Sequence, residues 1–378
     1  AEKIAALPYD VYNRKEAKEA VKDAPHSFLR IDRAETTLPD DVDTYDERVY
    51  KRAKELLTEQ VEKGEYITED KPCFYLYELV MNGRSQTGVV GCASIDDYCN
   101  NVIKKHENTR ADKEEDRIRH VDTLSAQTGP IFLAYRDRAD LQALIKKGKE
   151  EKPLYDFTAE DGITHRVYRI ADEGMQKEIA RIFKEMDSLY IADGHHRAAS
   201  AVKVGLKRRA EHPDYTGDEE FNYFLSVVFP DSELMIMDYN RVVKDLNDLT
   251  PEAFLSAVEK CFTVEEKGTE PVKPAGKGEV GMYLDGKGYL LTVKEAYRND
   301  DPVKGLDVSL LQDYLLSPIL GIGDPKTDKR IDFVGGIRGL KELKRRTESD
   351  CRVAFSMYPT SIGELFSVAD AGLLMPPK

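Results

Sequence analysis

An α+β fold around a mixed sheet is predicted, because strand-like and helix-like stretches alternate irregularly instead of in a strict strand–helix–strand rhythm. The turn signals Asn82-Gly83 and Asp161-Gly162 each sit between two strand-like runs, as antiparallel hairpins require. A third observation is the abrupt passage from the apolar run Tyr190-Ile-Ala192 through Asp193-Gly194 into a helix-like stretch.

Taken in order, Ala1–Leu7 reads as the end of a helix broken at Pro8, and His26–Ile31 as a short strand. Tyr45–Val61 has apolar residues at helical spacing (Val49, Ala53, Leu56, Leu57, Val61). Cys73–Val80 and Thr87–Ala93 are strands flanking the first hairpin turn. Helices are expected at Ile95–Lys105 and Asp112–Leu124, a strand at Pro130–Tyr135, and a helix at Ala139–Lys147. The second hairpin, a helix over Gln176–Lys184, the strand–turn–helix and a strand at Tyr223–Phe229 follow. Beyond Asp231 a hairpin (Val280–Leu284 and Tyr289–Val293), helices at Val308–Leu316 and Ile337–Arg346, and a strand at Arg352–Met357 are expected. Glu266–Lys277, rich in Gly, Lys and Pro, reads as an exposed loop. The expected organisation is an N-terminal α+β segment over 1–93, a core over 94–230 and a C-terminal α+β segment over 231–378.

Composition narrows the function classes. A length of 378 residues, 41% of them hydrophobic, gives room for two or three cores. The 70 acidic against 56 basic residues, a formal charge of −14, oppose attraction to nucleic acid or to an anionic membrane. Five cysteines without C-x-x-C spacing point to free thiols in a reducing cytoplasm, with neither a zinc ribbon nor a disulfide framework. No run approaches the ~20 apolar residues of a membrane span, and no signal peptide is visible. Both ends stop in mid-pattern, so further residues are expected beyond them. Small-molecule partners are the remaining expectation; the oligomeric state has no signature.

The densest chemistry lies in Asp193-Gly-His-His-Arg197. A helix opening after glycine offers unpaired N–H groups and a positive dipole end to phosphate. Asp193 can cap that turn or hold a divalent cation. The dipole is worth only about 0.3–1 kcal/mol, so Arg197, His195 and His196 must supply most of the anion affinity. Two neutral histidines satisfied at a helix cap are the plainer alternative. A transition-metal site is disfavoured, since adjacent helical histidines point about 100° apart. A second cluster, Lys104-Lys-His-Glu-Asn-Thr-Arg110, precedes a helix on which Asp116, Arg117 and His120 share a face; a solvated amphipathic helix explains that face as well. Arg241, in Tyr239-Asn-Arg241, can fork onto a carboxylate or phosphate or belong to a surface hairpin. Val334-Gly-Gly336 lacks the Gly-Lys-Ser/Thr ending of a Walker loop.

Nearly the whole chain resembles the domain of unknown function 1015 family. The matching residues are Leu7-Pro-Tyr-Asp-Val11, Phe28-Leu-Arg-Ile31, His106-Glu-Asn-Thr109 with Asp116, Arg117 and His120, and Gly129-Pro-Ile-Phe132. They continue with Ala192-Asp-Gly-His-His-Arg197, Tyr239-Asn-Arg-Val242, Val334-Gly-Gly336 and the closing Met375-Pro-Pro-Lys378. Arg33-Ala34-Glu35 departs from the family, which tends to place proline before the glutamate. The order His106-Glu107, helix, Gly-Pro-Ile-Phe, then a strand ending Asp-Gly-His-His-Arg is also similar to the ParB/sulfiredoxin-like core, which includes the free-serine kinases. His195 stands where sulfiredoxins carry their catalytic cysteine, which excludes sulfinic acid repair.

This resemblance implies a kinase transferring a phosphoryl group from ATP, ADP or pyrophosphate to free L-serine or a similar small metabolite, with Mg²⁺. It implies Glu107 as general base and Asp193 as metal or phosphoryl-positioning residue. Gly194, His195, His196 and Arg197 would cradle the phosphate, with His196 also in the catalytic set. His106, Thr109, Arg117, His120 and Arg241 would serve the substrate. A ParB-like nucleotide-binding regulator without turnover and a phosphoserine hydrolase are the alternatives. Lys207-Arg208-Arg209, the compact basic run nearby, is more simply a solvated helix end than a DNA-reading one.

Overall fold

The computed structural model describes residues 1–109 and 111–376, with the backbone alone for Asp112. The expectations placed on Arg110 and on Pro377-Lys378 lie outside the described residues. The chain divides into two compact units, Ala1–Leu234 and Met235–Lys378. The fold class is α+β, with a mixed sheet in the first unit and an antiparallel one in the second.

The first unit begins with α1 (Arg14–Ala20), α2 (Leu29–Asp32) and α3 (Glu47–Glu62). It continues with β1 (Phe74–Met81), β2 (Arg84–Ser94), α4 (Ile95–Cys99), β3 (Ile103–Lys104) and α5 (Ala111–Leu124). Then come β4 (Ile131–Tyr135), α6 (Ala139–Gly148), β5 (Tyr155–Thr158), β6 (Thr164–Ile170) and α7 (Glu173–Lys184). It closes with β7 (Leu189–Asp193), α8 (His195–Glu211) and β8 (Tyr223–Pro230).

Eight strands form one sheet in the order β3-β7-β4-β8-β2-β1-β6-β5. The pairs β3–β7 and β4–β8 are parallel and the others antiparallel. The division drawn at residue 93 therefore falls inside a single hydrogen-bonded sheet, since β1 and β2 are paired with strands from the following segment. The hairpin at Asn82-Gly83 forms as its sequence asks, with both residues at positive φ.

Three local expectations give way. Residues 1–7 make only a turn, closed by Ile4 and Ala5 N–H on the Ala1 carbonyl. His26–Ile31 is not a strand: its apolar alternation belongs to the short helix α2. Leu29 packs there with Ala17 and Val21, while Ile31 joins a cluster with Ala34 and Val49. The helix expected over Ile95–Lys105 stops at Cys99, because Asn101 takes a left-handed conformation (φ 60°) and β3 follows.

Helix α8 lies close to its neighbours through Ala198, Ala199, Ala201 and Gly205. Charges staple it to the rest of the unit: Lys203 pairs with Glu114, Lys207 and Arg208 with Asp122, and Arg209 with Asp96. The basic run at 207–209 is thus neutralised from neighbouring elements instead of being simply solvated. A Cβ at Gly205 would stand 2.4 Å from the Phe221 carbonyl oxygen and 2.8 Å from Ile95 Cδ1. Gly205→Ala is accordingly expected to destabilise the protein by about 1–3 kcal/mol through overpacking, seen as a lower urea midpoint. An unchanged midpoint would mean that α8 can move away at no cost.

The second unit contains β9 (Tyr239–Val243), α9 (Pro251–Val258), β10 (Phe262–Gly268), β11 (Glu279–Leu284), β12 (Lys287–Val293) and α10 (Asp307–Leu311). It ends with β13 (Ile331–Gly335), α11 (Gly339–Ser349), β14 (Val353–Met357) and α12 (Ile362–Asp370). Its six antiparallel strands run β10-β12-β11-β14-β9-β13, around a core that includes Phe254, Phe262, Leu291 and Phe355. The loop expected from Glu266 starts only after β10 ends at Gly268. Among the described residues, no helix is long and apolar enough to cross a membrane.

Candidate active site

Strand β7 is buried at Tyr190 and Ile191 and reaches the surface at Asp193. Gly194 then turns the chain at φ 89° and ψ 32°, a conformation costly to any residue with a Cβ. It opens α8 without a side-chain cap, so Asp193 does not cap the helix, contrary to one of the two roles expected of it. Asp193 Oδ2 instead accepts from Arg197 Nη2 at 2.8 Å, and Arg197 Nη1 donates to the Pro130 carbonyl at 2.6 Å. Arg197 is thereby fixed across the turn.

His195 points inward. Its ring meets that of His106 edge-on, with centroids 4.6 Å apart. Glu107 joins this pair: its carboxylate lies 3.9 Å from His195 Nδ1 and 3.7 Å from His106 Nε2. Although far apart in sequence, Glu107 and the turn at Gly194 are thus brought together. The Glu107 side chain keeps 31% of its surface exposed, whereas His106 keeps 1%. Thr109 Oγ1 donates to Glu114 Oε2 at 2.6 Å. Burial works against the Glu114 charge, but Lys203 and Thr109 hold its pKa below the usual value, with His196 contributing in the same direction.

Beside this turn, bounded by Asp193 and Arg197, is a cavity of about 590 Å³ formed within the first unit. Glu107 is not among its lining residues; Arg117 and His120 are. The α5 face carrying Asp116, Arg117 and His120 is buried, not solvated. Asp116 gives its oxygens to Tyr50 Oη (2.8 Å) and to Arg117 (2.8 Å), so it does not orient His120. Arg117 lies under the Tyr9 ring, 4.2 Å from its centroid. Burial works against the Arg117 charge, yet Asp116, Tyr9 and Asp32 keep its pKa above the ordinary value. Burial, and then the Arg117 charge, push His120 down to about 3, so this ring is neutral at physiological pH. Its Nε2 faces the Ile31 carbonyl at 3.3 Å.

One carboxyl in the cavity has no counterpart among the residues expected from sequence. Burial raises Asp32, at the end of α2, to about 6, although a hydrogen bond from Thr128 and the charges of Arg117 and Arg197 pull it the other way. The available signal was an acid placed directly after Phe28-Leu-Arg-Ile31, one residue beyond the stretch that matches the family.

Arg241 belongs to the second unit. It is buried in β9, donates to the Tyr239 carbonyl and stacks 5.5 Å from the centre of the Phe333 ring. Burial lowers its pKa to about 10. Among the described residues, no group of three His, Cys, Asp or Glu could hold a metal ion by itself. Asp193, with 67% of its side chain exposed, is a single hard oxygen donor. That suits Mg²⁺, which takes one or two carboxylates and completes its shell with phosphate oxygens and water.

The family model described as "Protein of unknown function (DUF1015)" matches residues 1–309. No curated protein matches the chain. Among solved structures, the chain is similar to a free serine kinase mutant in complex with ADP: 14% identity, 76% of this chain, 85% of that chain, TM-score 0.38. It is also similar to a conserved hypothetical protein from Pyrococcus furiosus, with 16% identity, 76% and 88% coverage, and a TM-score of 0.35. The third likeness is to SbnI with a C-terminal truncation from Staphylococcus aureus, with 10% identity, 76% and 79% coverage, and a TM-score of 0.36.

Proposed function

The chain belongs to the DUF1015 family, and on that premise we propose that it is a phosphotransferase with an alcohol acceptor, a kinase for free L-serine or a similar small hydroxylated metabolite. One juxtaposition carries the reading: the Glu107 carboxylate stands 3.9 Å from His195, in the first turn of the helix that opens at Gly194. Phosphoryl transfer needs little beyond positioning, charge stabilisation and one group to take the hydroxyl proton. Glu107 is that base, and its two histidine neighbours hold it in place. The N–H groups after Gly194, with His195, His196 and Arg197, cradle the phosphoryl group as it passes from the donor to the acceptor's oxygen.

His106 and Thr109 shape the acceptor side of this cluster. Arg117 meets the acceptor's carboxylate, with His120 beside it. The donor is ATP, ADP or pyrophosphate, each of which presents a terminal phosphate. Mg²⁺, held by Asp193, would neutralise charge on the donor's phosphates.

The test is to incubate the protein with L-serine, Mg²⁺ and each donor in turn. O-phosphoserine is the expected product, read by mass spectrometry. Its absence with all three donors, from protein shown to be folded, would overturn the reading. Release of phosphate from O-phosphoserine without an acceptor would establish the hydrolase reading instead.

A further inference from the structure

The cavity beside the Gly194 turn is larger and more apolar than serine requires. Its volume of about 590 Å³ falls in the range of roughly 300–1,000 Å³ that holds drug-sized molecules. Much of its lining is apolar: Phe28, Leu79, Phe132, Ile163, Val227 and Phe229 contribute to it. The Phe132 and Phe229 rings pack on each other, centroids 4.7 Å apart at 59°, and together offer an apolar wall against which a further flat or branched group can lie.

The lining also carries both signs of charge. Arg117 and Arg197 belong to it together with Asp32 and Asp193. Arg117 turns Nε and Nη2 towards Asp116, and a guanidinium has five N–H donors. Two polar atoms of lining residues lack a hydrogen-bond partner among the described residues: Oδ1 of Asp32 and Nδ1 of His120, the latter on a residue only 2% exposed. Asp193 and Arg197 are paired with each other, so the opposite charges left to a ligand are those of Arg117 and Asp32. They suit a zwitterion, whose separated charges can each find an opposite.

We propose that this cavity binds an α-amino acid with a large apolar side chain, its carboxylate on Arg117, its ammonium on Asp32 and its side chain against the wall that Phe132 and Phe229 form. The proposal concerns binding alone and goes beyond the transfer reading, so either can fail without the other. Above about pH 6, Asp32 carries the charge that an ammonium needs.

Isothermal titration of the full chain at neutral pH, without any phosphoryl donor, tests it. L-phenylalanine is expected to bind at least about tenfold more tightly than L-serine, from the apolar area buried. N-acetyl-L-phenylalanine and phenethylamine, each lacking one charge, should bind roughly tenfold more weakly than L-phenylalanine. Asp32→Asn keeps the shape of the side chain and should erase the preference for L-phenylalanine over its N-acetyl form. L-serine binding as tightly as L-phenylalanine, N-acetyl-L-phenylalanine binding equally well, or no saturable binding of L-phenylalanine would each overturn the proposal. The ligand series uses the native protein throughout, so it decides the matter even if the Asp32→Asn variant misfolds.

Discussion

Glu107→Gln is expected to lower turnover by about 10²–10⁴-fold, the usual contribution of a well-placed general base. Glutamine has the same length and shape and adds no bulk beside His106 and His195, so the histidine pair should stay in place. What it cannot do is accept the hydroxyl proton. A loss confined to kcat, with KM for the donor nearly constant, would mark an interaction made in the transition state alone. A parallel rise in KM would instead make Glu107 a structural neighbour of the histidines. Full activity in this variant would remove Glu107 from the chemistry.

The second large effect is on stability, and it comes from two buried groups of opposite sign. His120 has a folded pKa of about 3, well below its ordinary value. The unfolded chain therefore binds its proton more readily, and the stability of the neutral ring is lost as pH falls from about 6.5 towards 3. By linkage that loss is on the order of 5 kcal/mol. Asp32 acts the other way. Its folded pKa of about 6 lies above its unfolded value. Its contribution is fully present below about pH 4 and is lost as pH rises through 6, which costs the folded state on the order of 3 kcal/mol at neutral pH.

Between about pH 6 and 4 the two slopes oppose each other. Asp32→Asn removes one of them. The variant is expected to be more stable than the native protein at pH 7, by an amount that shrinks towards zero near pH 4. Its own acid loss should then follow His120 without compensation. Urea denaturation of both proteins across this range reads the difference directly, and charges common to both cancel. A stability gain that persists at pH 4 would show that Asp32 is not a neutral acid in the folded state.

What the sequence made legible was local. Gly194 and the Asn82-Gly83 turn need special backbone angles, and the residue types declare it. The pairing of Glu107 with His195 followed from a family resemblance in motif order; no periodicity within the chain would have brought those segments together. Asp32 was invisible for the opposite reason. Its perturbed acidity is produced by burial, which outweighs the opposing pull of Thr128, Arg117 and Arg197, and the surfaces that bury it come from other parts of the chain. The same tertiary burial turned Asp116–His120 from an apparently solvated helix face into a cavity wall. The short segment Phe28–Asp32 carries too few residues for its period to separate strand from helix, and packing on two different clusters decided it.

The position of β8 has a consequence for synthesis on the ribosome. That strand bridges β2 and β4, so the hairpin of β1 and β2 leaves the exit tunnel long before its partner along Val89–Ser94 exists. At typical rates of about 5–20 residues per second, the interval is on the order of ten seconds. Throughout it the nascent chain carries an unpaired strand border bearing Val89 and Val90, which chaperones or a neighbouring polypeptide can capture.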